Sequence, residues 1–489
     1  MVAKVPEKTA RQAMFAGSLW TVSMRWSMKL IGFANTAILA RMILPSEYAV
    51  VAMAYLVVGL MESFFDFGVE AALMRKSEIS EEFINSAWSL RIVEGAGIAV
   101  LLLLISPLVT IYFHDPRIAP VLWVLAGCFA IGSSSNIGLM LARKNLNFSL
   151  EFRLQVISKV LQVISTLTAA YFLRDYRALV IGIIVGYASS WILSFLMHPY
   201  RPTWNTSGFL EIWQVTRWLM LSNIARFLVR KADEITAGRI GTSSQFGMYN
   251  VGADLGMLPT GEVGPAILKA FFPVLSSIQH DAERVRSGVL KVLSIVNAIT
   301  LPAGIGLAAV AAPATLLMLG PNWGGAVQFV AIFGVIGAIQ VASNPLSTLL
   351  TMRGFTKIQS RIVWTEFAVF AVASLILVPT LHLQGLAFAR LAGAFSSAIF
   401  IAYECAETCD LPLKAMVAAI WRPLTSSVIM YFVASWAVTF FTNLYAGMAF
   451  AITLGGISYI VLMMASWHFF ARPPGLESEV VAFIRRTPK

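Results

Sequence analysis

The sequence predicts an all-α membrane protein of about fourteen transmembrane helices. They are expected to form two pseudo-symmetric six-helix bundles around a central cavity, followed by two additional C-terminal helices. Three observations carry this expectation. Of 489 residues, 58% are hydrophobic and 12% charged, and the mean hydropathy is +0.76. A soluble domain carries about 25% charged residues, so this chain has too little polar surface to cover a water-soluble fold, and its excess apolar surface must face lipid. Second, the apolar runs are long enough to cross a bilayer and show helical rather than two-residue periodicity, which excludes a β-barrel. Third, the cations are sorted between alternate connections, as they are in proteins that obey the positive-inside bias.

Taken in order, the first run, 15–41, follows a basic, polar start from Met1 to Arg11. It is too long for a signal-peptide core and no small-residue cleavage site follows, so it is expected to be a retained span. Five more runs, 47–73, 85–113, 118–141, 152–173 and 178–198, complete an expected N-terminal bundle over residues 1–205. The runs 212–239, 245–270, 287–316, 326–351, 360–380 and 385–405 make an expected second bundle over 206–410. The last two, 420–442 and 446–470, belong to 411–489, which ends in a polar tail.

With the N-terminus in the cytoplasm, the inside segments collect Lys4, Lys8, Arg11, Arg75, Lys76, Arg143, Lys144, Arg284, Arg286, Lys357, Lys414, Arg485 and Lys489, among others. The outside turns hold Arg41, Arg117, Arg174, Arg177 and Arg239. That asymmetry predicts cytoplasmic termini at both ends and an even number of spans. It also accounts for the formal net charge of +11: the basic residues are scattered between apolar runs, so no nucleic-acid surface is expected. No connection is long enough to form a folded extramembrane domain.

An internal repeat supports the two bundles. Trp20, Arg41, Ser46, Glu47 and Tyr48 recur at the same spacing as Trp218, Arg239, Ser244, Gln245 and Phe246. Both clusters fall around the outside turn between the first two helices of an expected bundle. Six helices separate them, so the repeats are parallel and related by an axis along the membrane normal.

Eight basic residues lie inside expected spans: Arg25, Lys29, Arg91, Lys159, Arg226, Arg230, Lys231 and Arg390. At about 2.5–3.5 kcal/mol each, leaving them all in lipid would cost on the order of 20 kcal/mol. They must snorkel, pair, or line a wet cavity. Arg25 and Lys29 are one turn apart on the first helix, as are Arg226 and Arg230 on its counterpart in the second bundle. Two cationic walls would attract an anion, and an arginine fork suits a diphosphate; these four are the expected substrate-binding residues. Glu62, Asp66 and Glu70 on the second run, Arg91 and Glu94 on the third, Asp233 on the seventh and Asp254 on the eighth are expected to pair, gate or couple. Asp66, Glu70, Arg91 and Glu94 in particular predict an ion-pair network near the cytoplasmic side. Lys159 and Arg390 read only as cavity-lining or snorkelling residues.

The remaining polar features point to no catalytic chemistry. Cys128, Cys405 and Cys409 match no zinc or redox spacing and read as packing residues. The five histidines are isolated from one another near helix ends, so no metal site is expected. Gly182 and Gly186 read as a close-packing contact between helices, and the sequon at Asn205 as chance on the cytoplasmic side. No nucleotide-binding loop is present, so no cofactor is expected and transport would not be driven by ATP bound to this chain.

Leu44-Pro-Ser-Glu-Tyr, followed by Phe65-Asp-Phe-Gly-Val-Glu-Ala-Ala-Leu-Met-Arg-Lys, resembles the first two helices of Wzx-type polysaccharide flippases. Ser106-Pro-Leu, Tyr112-Phe-His-Asp-Pro and Leu141-Ala-Arg-Lys-Asn-Leu-Asn-Phe are similar to the same family's next landmarks, most of all in exporters of the colanic-acid and succinoglycan type. The resemblance covers roughly residues 10–160 and is diffuse beyond. It implies a fold shared with multidrug extruders and with the peptidoglycan-precursor flippase, in the bacterial inner membrane. It further implies movement of undecaprenyl-diphosphate-linked oligosaccharide from the cytoplasmic to the periplasmic leaflet, among membrane lipids and alongside a polysaccharide polymerase and chain-length or export proteins. Two other transporters on the same fold compete with this reading: an ion-coupled drug antiporter and the lipid II flippase itself. A membrane glycosyltransferase or ligase would need a sizeable polar loop for its catalytic groups, and the outside connections are too short for one, so the chain is expected not to be an enzyme.

Overall fold

The computed structural model describes residues 7–65, 68–75, 80–144, 147–261, 271, 281–470 and 475–478. The helices are α1 Glu7–Ala40, α2 Pro45–Phe65, α3 Val69–Arg75, α4 Glu81–Phe113, α5 Ile118–Ser133, α6 Gly138–Lys144, α7 Phe148–Leu173, α8 Tyr176–Met197, α9 Phe209–Ile240 and α10 Ser243–Gly261. They continue with α11 Ala282–Ala309, α12 Ala311–Leu319, a 3-10 turn Pro321–Ala326, α13 Val327–Met352, α14 Thr356–Thr408, α15 Leu413–Val438 and α16 Leu444–Phe469. Every expected segment overlaps one of these helices. Among the described residues nine helices are long and apolar enough to cross a membrane, ten if the bent pair α5 and α6 forms one span. The segments 15–41, 212–239 and 245–270 fall on α1, α9 and α10, which are helical but outside that set.

The chain divides into two compact units, Met1–Gly247 and Met248–Lys489. In the first, α2 is the interior helix: Ala49, Val50, Met53, Ala54 and Val58 are almost completely shielded. It packs on α4, α5, α8 and α9, while α7 pairs with α8 and α1 lies against α7. By contrast α4 turns Leu103, Leu104, Leu108 and Ile111 outward, 48–70% exposed. Such a row of large apolar side chains is stable only in hydrocarbon. Gly182 sets the α7–α8 approach, because a Cβ there would lie 1.7 Å from Thr166 Oγ1. The small-residue motif therefore serves an internal helix contact, as expected. Gly182→Leu should force the two helices apart and cost about 1–3 kcal/mol, read as a lower unfolding midpoint of the detergent-purified protein.

Three expected spans are divided between helices, which the apolar runs did not reveal; one of them, 287–316, passes from α11 to α12 at Val310. The segment 118–141 is bent by 60° between α5 and α6, and 47–73 is divided between α2 and α3 with Gly68 at φ 60°. Asn136 organises the α5–α6 break. Its amide donates to the carbonyls of His198 (3.2 Å) and Tyr200 (2.7 Å), its side-chain oxygen accepts from Gly138 N (2.8 Å), and its own N–H donates to Ser194 Oγ (3.0 Å). Trp88 Nε1 adds bonds to the carbonyls of Ser134 and Ser135. The connection from α8 to α9 is strapped to α4. Tyr200 Oη and Thr203 N donate to Asn85 Oδ1, Asn205 N to Ser89 Oγ, and Gly208 N to Ser86 Oγ. Asn205 thus has a structural use.

In the second unit α11 and α13 are the interior helices. A Cβ on Gly304 would lie 2.3 Å from the carbonyl oxygen of Gly334, so the two backbones nearly touch, and Tyr249 packs edge-on against Phe329 and Phe333. The 53-residue α14 folds back at His382 (φ 48°), three residues after Pro379, between the expected segments 360–380 and 385–405. Its two halves are tied by Arg390–Glu366 (3.6 Å) and Arg361–Glu404 (3.2 Å). Arg390 is therefore a buried structural cation rather than a snorkelling one. Arg422 on α15 is 2% exposed and bonds Glu477 (4% exposed) at 3.0 Å.

Candidate functional site

The first unit carries an open cavity of about 860 Å³ where α2, α3, α4, α5, α6, α8 and α9 meet. Helical spacing places its polar groups. Arg91, Glu94, Gly95 and Ile98 share one face of α4, and Asn223, Phe227 and Arg230 one face of α9. Glu62 comes from α2 and Glu70 from α3, while Phe129, Tyr187 and Trp191 supply aromatic walls. Ser135, in the break between α5 and α6, faces the same space. Non-helical backbone at membrane depth is tolerated where it lines a water-filled cavity, and broken helices supply binding groups in transporters. The cavity holds three carboxylates and two guanidinium groups, a mixture that can grip an anion at the arginines and take up cations at the acids.

The structure rearranges the expected ion-pair network. Arg91 lies within electrostatic reach of Glu94 and Glu70, and its Nη2 donates to Ser135 Oγ at 3.5 Å. Glu70, however, pairs directly with Arg143 of α6, and Arg143 also grips Glu151 of α7, with Nε to Oε2 at 2.9 Å. From sequence Arg143 reads only as a cation of an inside connection, and its spacing from Glu70 does not reveal this bond. Asp66 lies outside the described residues.

Of the four expected anion-binding residues, Arg230 lines this cavity. Arg226 is exposed one turn earlier and donates to the lining Asn223 Oδ1 at 2.6 Å. Arg25 and Lys29 are exposed on α1 and do not line it. Lys231 pairs with Glu234, Asp233 is buried at 4% exposure, and Asp254 is exposed on α10 in the second unit.

A second polar cluster ties together the α1–α2, α4–α5, α7–α8 and α9–α10 connections of the first unit. Arg117 bonds both Glu47 and Asp115 at 2.7 Å, Tyr176 N donates to Glu47 Oε2 (3.2 Å) and Ser243 Oγ donates to Asp115 Oδ2 (2.8 Å). Glu47 and its neighbours thus belong to a structural clamp. Burial alone would raise the Asp115 carboxyl, but hydrogen bonds from Arg117 and Ser243 outweigh it and hold the group below its ordinary value. A depressed carboxylate contributes stability above its unfolded value near 3.9 and loses it as pH falls through the folded value. The unfolding midpoint of the wild type should therefore drop more steeply below about pH 4 than that of Asp115→Asn, which thermal unfolding across that range checks.

Broken, cavity-lining helices among lipid-facing ones define a multi-pass membrane protein with a transporter fold. The solved structures agree on the fold. The inward closed conformation of the lipid II flippase MurJ superposes with TM-score 0.70 at 12% identity, over 93% of this chain and 100% of that one. An inward-facing multidrug resistance MATE family transporter gives 0.59 at 13% identity, over 80% and 96%. The chain belongs to the polysaccharide biosynthesis protein family, whose model matches residues 38–328. It is 23% identical to the lipopolysaccharide biosynthesis protein WzxC of Escherichia coli over 70% of both chains. It is 21% identical to the teichuronic acid biosynthesis protein TuaB of Bacillus subtilis over 70% of this chain and 71% of that one. With the succinoglycan biosynthesis transport protein ExoT of Rhizobium meliloti it shares 22% over 68% and 67%.

Proposed function

We propose that this protein is a flippase that moves undecaprenyl-diphosphate-linked oligosaccharide repeat units from the cytoplasmic to the periplasmic leaflet by alternating access, for exopolysaccharide or lipopolysaccharide synthesis. It resides in the bacterial inner membrane with both termini cytoplasmic, and it transports rather than catalyses. The observation that carries this reading is an intramembrane cavity with Arg91 and Arg230 on its wall, in a chain whose relatives are named for polysaccharide synthesis and transport. An arginine offers planar paired donors to phosphate oxygens, and intramembrane charges facing a cavity mark a transport path. Arg226, bonded to the lining Asn223, would add to the cationic surface that holds the diphosphate, and Arg25 and Lys29 on α1 would be further cations on the substrate's path. Glu62, Glu94, Asp66, Asp233 and Asp254 are the acids available for gating or ion coupling, and a polymerase or chain-length protein would receive the product.

Deleting the gene tests the reading. A lipid-linked oligosaccharide should accumulate on the cytoplasmic leaflet and the exported polysaccharide should disappear. Drug hypersensitivity with unchanged polysaccharide would make the chain a drug antiporter, and accumulation of the peptidoglycan precursor would make it a lipid II flippase. Reporter fusions after Lys76, Lys144, Arg201, Arg286, Lys357 and Lys414 should read cytoplasmic, and those after His114, Arg174 and Asn322 periplasmic.

A further inference from the structure

A second cleft, of about 370 Å³, adjoins the charged cavity and shares Tyr187 and Ser190 with it. Its chemistry differs. One face of α7 contributes Gln155, Ser158, Lys159 and Gln162, at successive helical turns. Tyr55 of α2 faces them, together with Tyr187 and Ser190 of α8. Amides and hydroxyls both donate and accept hydrogen bonds. A diphosphate, with acceptor oxygens only, would leave the acceptors of such a wall unmatched, whereas a sugar's hydroxyls match both kinds. Ser158 and Lys159 mark where a ligand's polar groups would be met. Ser158 is 7% exposed, and its hydroxyl, itself shielded from solvent, has no hydrogen-bond partner among the described residues. Lys159 donates to Gln162 Oε1 at 3.1 Å and makes no ion pair among the described residues. An ammonium held at membrane depth without a carboxylate is costly, and a single negative charge on the ligand would relieve it.

We propose that the α7–α8 cleft is a glycan subsite that binds an acidic sugar of the transported oligosaccharide, with Lys159 on the sugar carboxylate and Gln155, Ser158 and Gln162 on its hydroxyls. This assignment rests on the flippase reading. The cleft selects which repeat unit is carried, and the arginine-lined cavity beside it holds the diphosphate that all such substrates share.

Thermal unfolding of the detergent-purified full-length protein can separate the two sites, using cellobiouronic acid, cellobiose, pyrophosphate and glycerol 3-phosphate as probes. The acidic disaccharide should raise the midpoint at lower concentration than the neutral one. Lys159→Gln should weaken the acidic disaccharide about tenfold, the loss of one charge-assisted bond, and abolish the preference while keeping the pyrophosphate response. Gln155→Ala, which leaves the charge in place, should weaken both disaccharides alike. A pyrophosphate response with no response to either disaccharide would overturn the subsite and leave the flippase reading standing. A Lys159→Gln variant that loses pyrophosphate or glycerol 3-phosphate instead would make the cleft a phosphate or lipid-headgroup site and overturn the proposal. Absence of any pyrophosphate response would count against the diphosphate cavity, independently of the sugars.

Discussion

Glu477→Ala is expected to destabilise the second unit by about 3–5 kcal/mol, because it strands the Arg422 guanidinium in a site with almost no access to water. The pair is shielded on both sides, at 2% and 4% exposure, so solvent cannot replace the missing carboxylate. Removing both charges, with Arg422→Met and Glu477→Leu, should recover most of the loss, since the desolvation cost of each ion disappears with it. Protein level in membranes and the unfolding midpoint in detergent report the effect. A double variant as unstable as Glu477→Ala would mean that the geometry of the bond, rather than the stranded charge, sets the cost.

Arg230→Ala is expected to reduce polysaccharide export at least tenfold while the protein still inserts and accumulates. A hydrogen bond to a charged partner is worth about 1.5–3 kcal/mol, and Arg230 is exposed to the cavity rather than locked in a buried pair, so the fold should tolerate its loss. Arg230→Lys should rescue only in part, keeping the charge and losing the fork. Arg25→Ala and Arg226→Ala should also reduce export if the cations outside this cavity share the substrate; normal export in either would leave that residue outside the binding path. Arg91→Ala should differ from Arg230→Ala, because Arg91 also bonds Ser135 at the α5–α6 break and its loss should lower protein level as well.

The sequence made the helices legible because lipid imposes one simple rule: about twenty apolar residues per crossing. The same rule hid the breaks. Residues 134–137 interrupt a run that stays apolar enough to look continuous, and what permits the break is a set of side-chain bonds, Asn136 to the carbonyls of His198 and Tyr200, from distant parts of the chain. Intramembrane charges were visible as costs, which is why Arg91, Glu62, Glu70, Glu94 and Arg230 could be singled out. Their partners were not visible, because pairing is settled by helix packing. Glu70 meets Arg143 across 73 residues, and Arg422 meets Glu477 in a tail that reads as surface. Lys159 shows the same limit from the other side: a single lysine in a span says little until Gln155, Ser158 and Gln162 are seen to share its cleft.

The central claim is that this chain carries a diphosphate-linked oligosaccharide across the bilayer, and it is tested most directly by sidedness in reconstituted vesicles. Undecaprenyl-diphosphate oligosaccharide would be loaded into proteoliposomes of the purified full-length protein, and the fraction reached from outside by a membrane-impermeant glycan-oxidising reagent followed over time. With wild-type protein, glycan initially protected in the inner leaflet should become accessible, and vesicles carrying Arg230→Ala should stay at the level of protein-free ones. Protected glycan that remains protected with wild-type protein, under every ion gradient applied, would contradict the account.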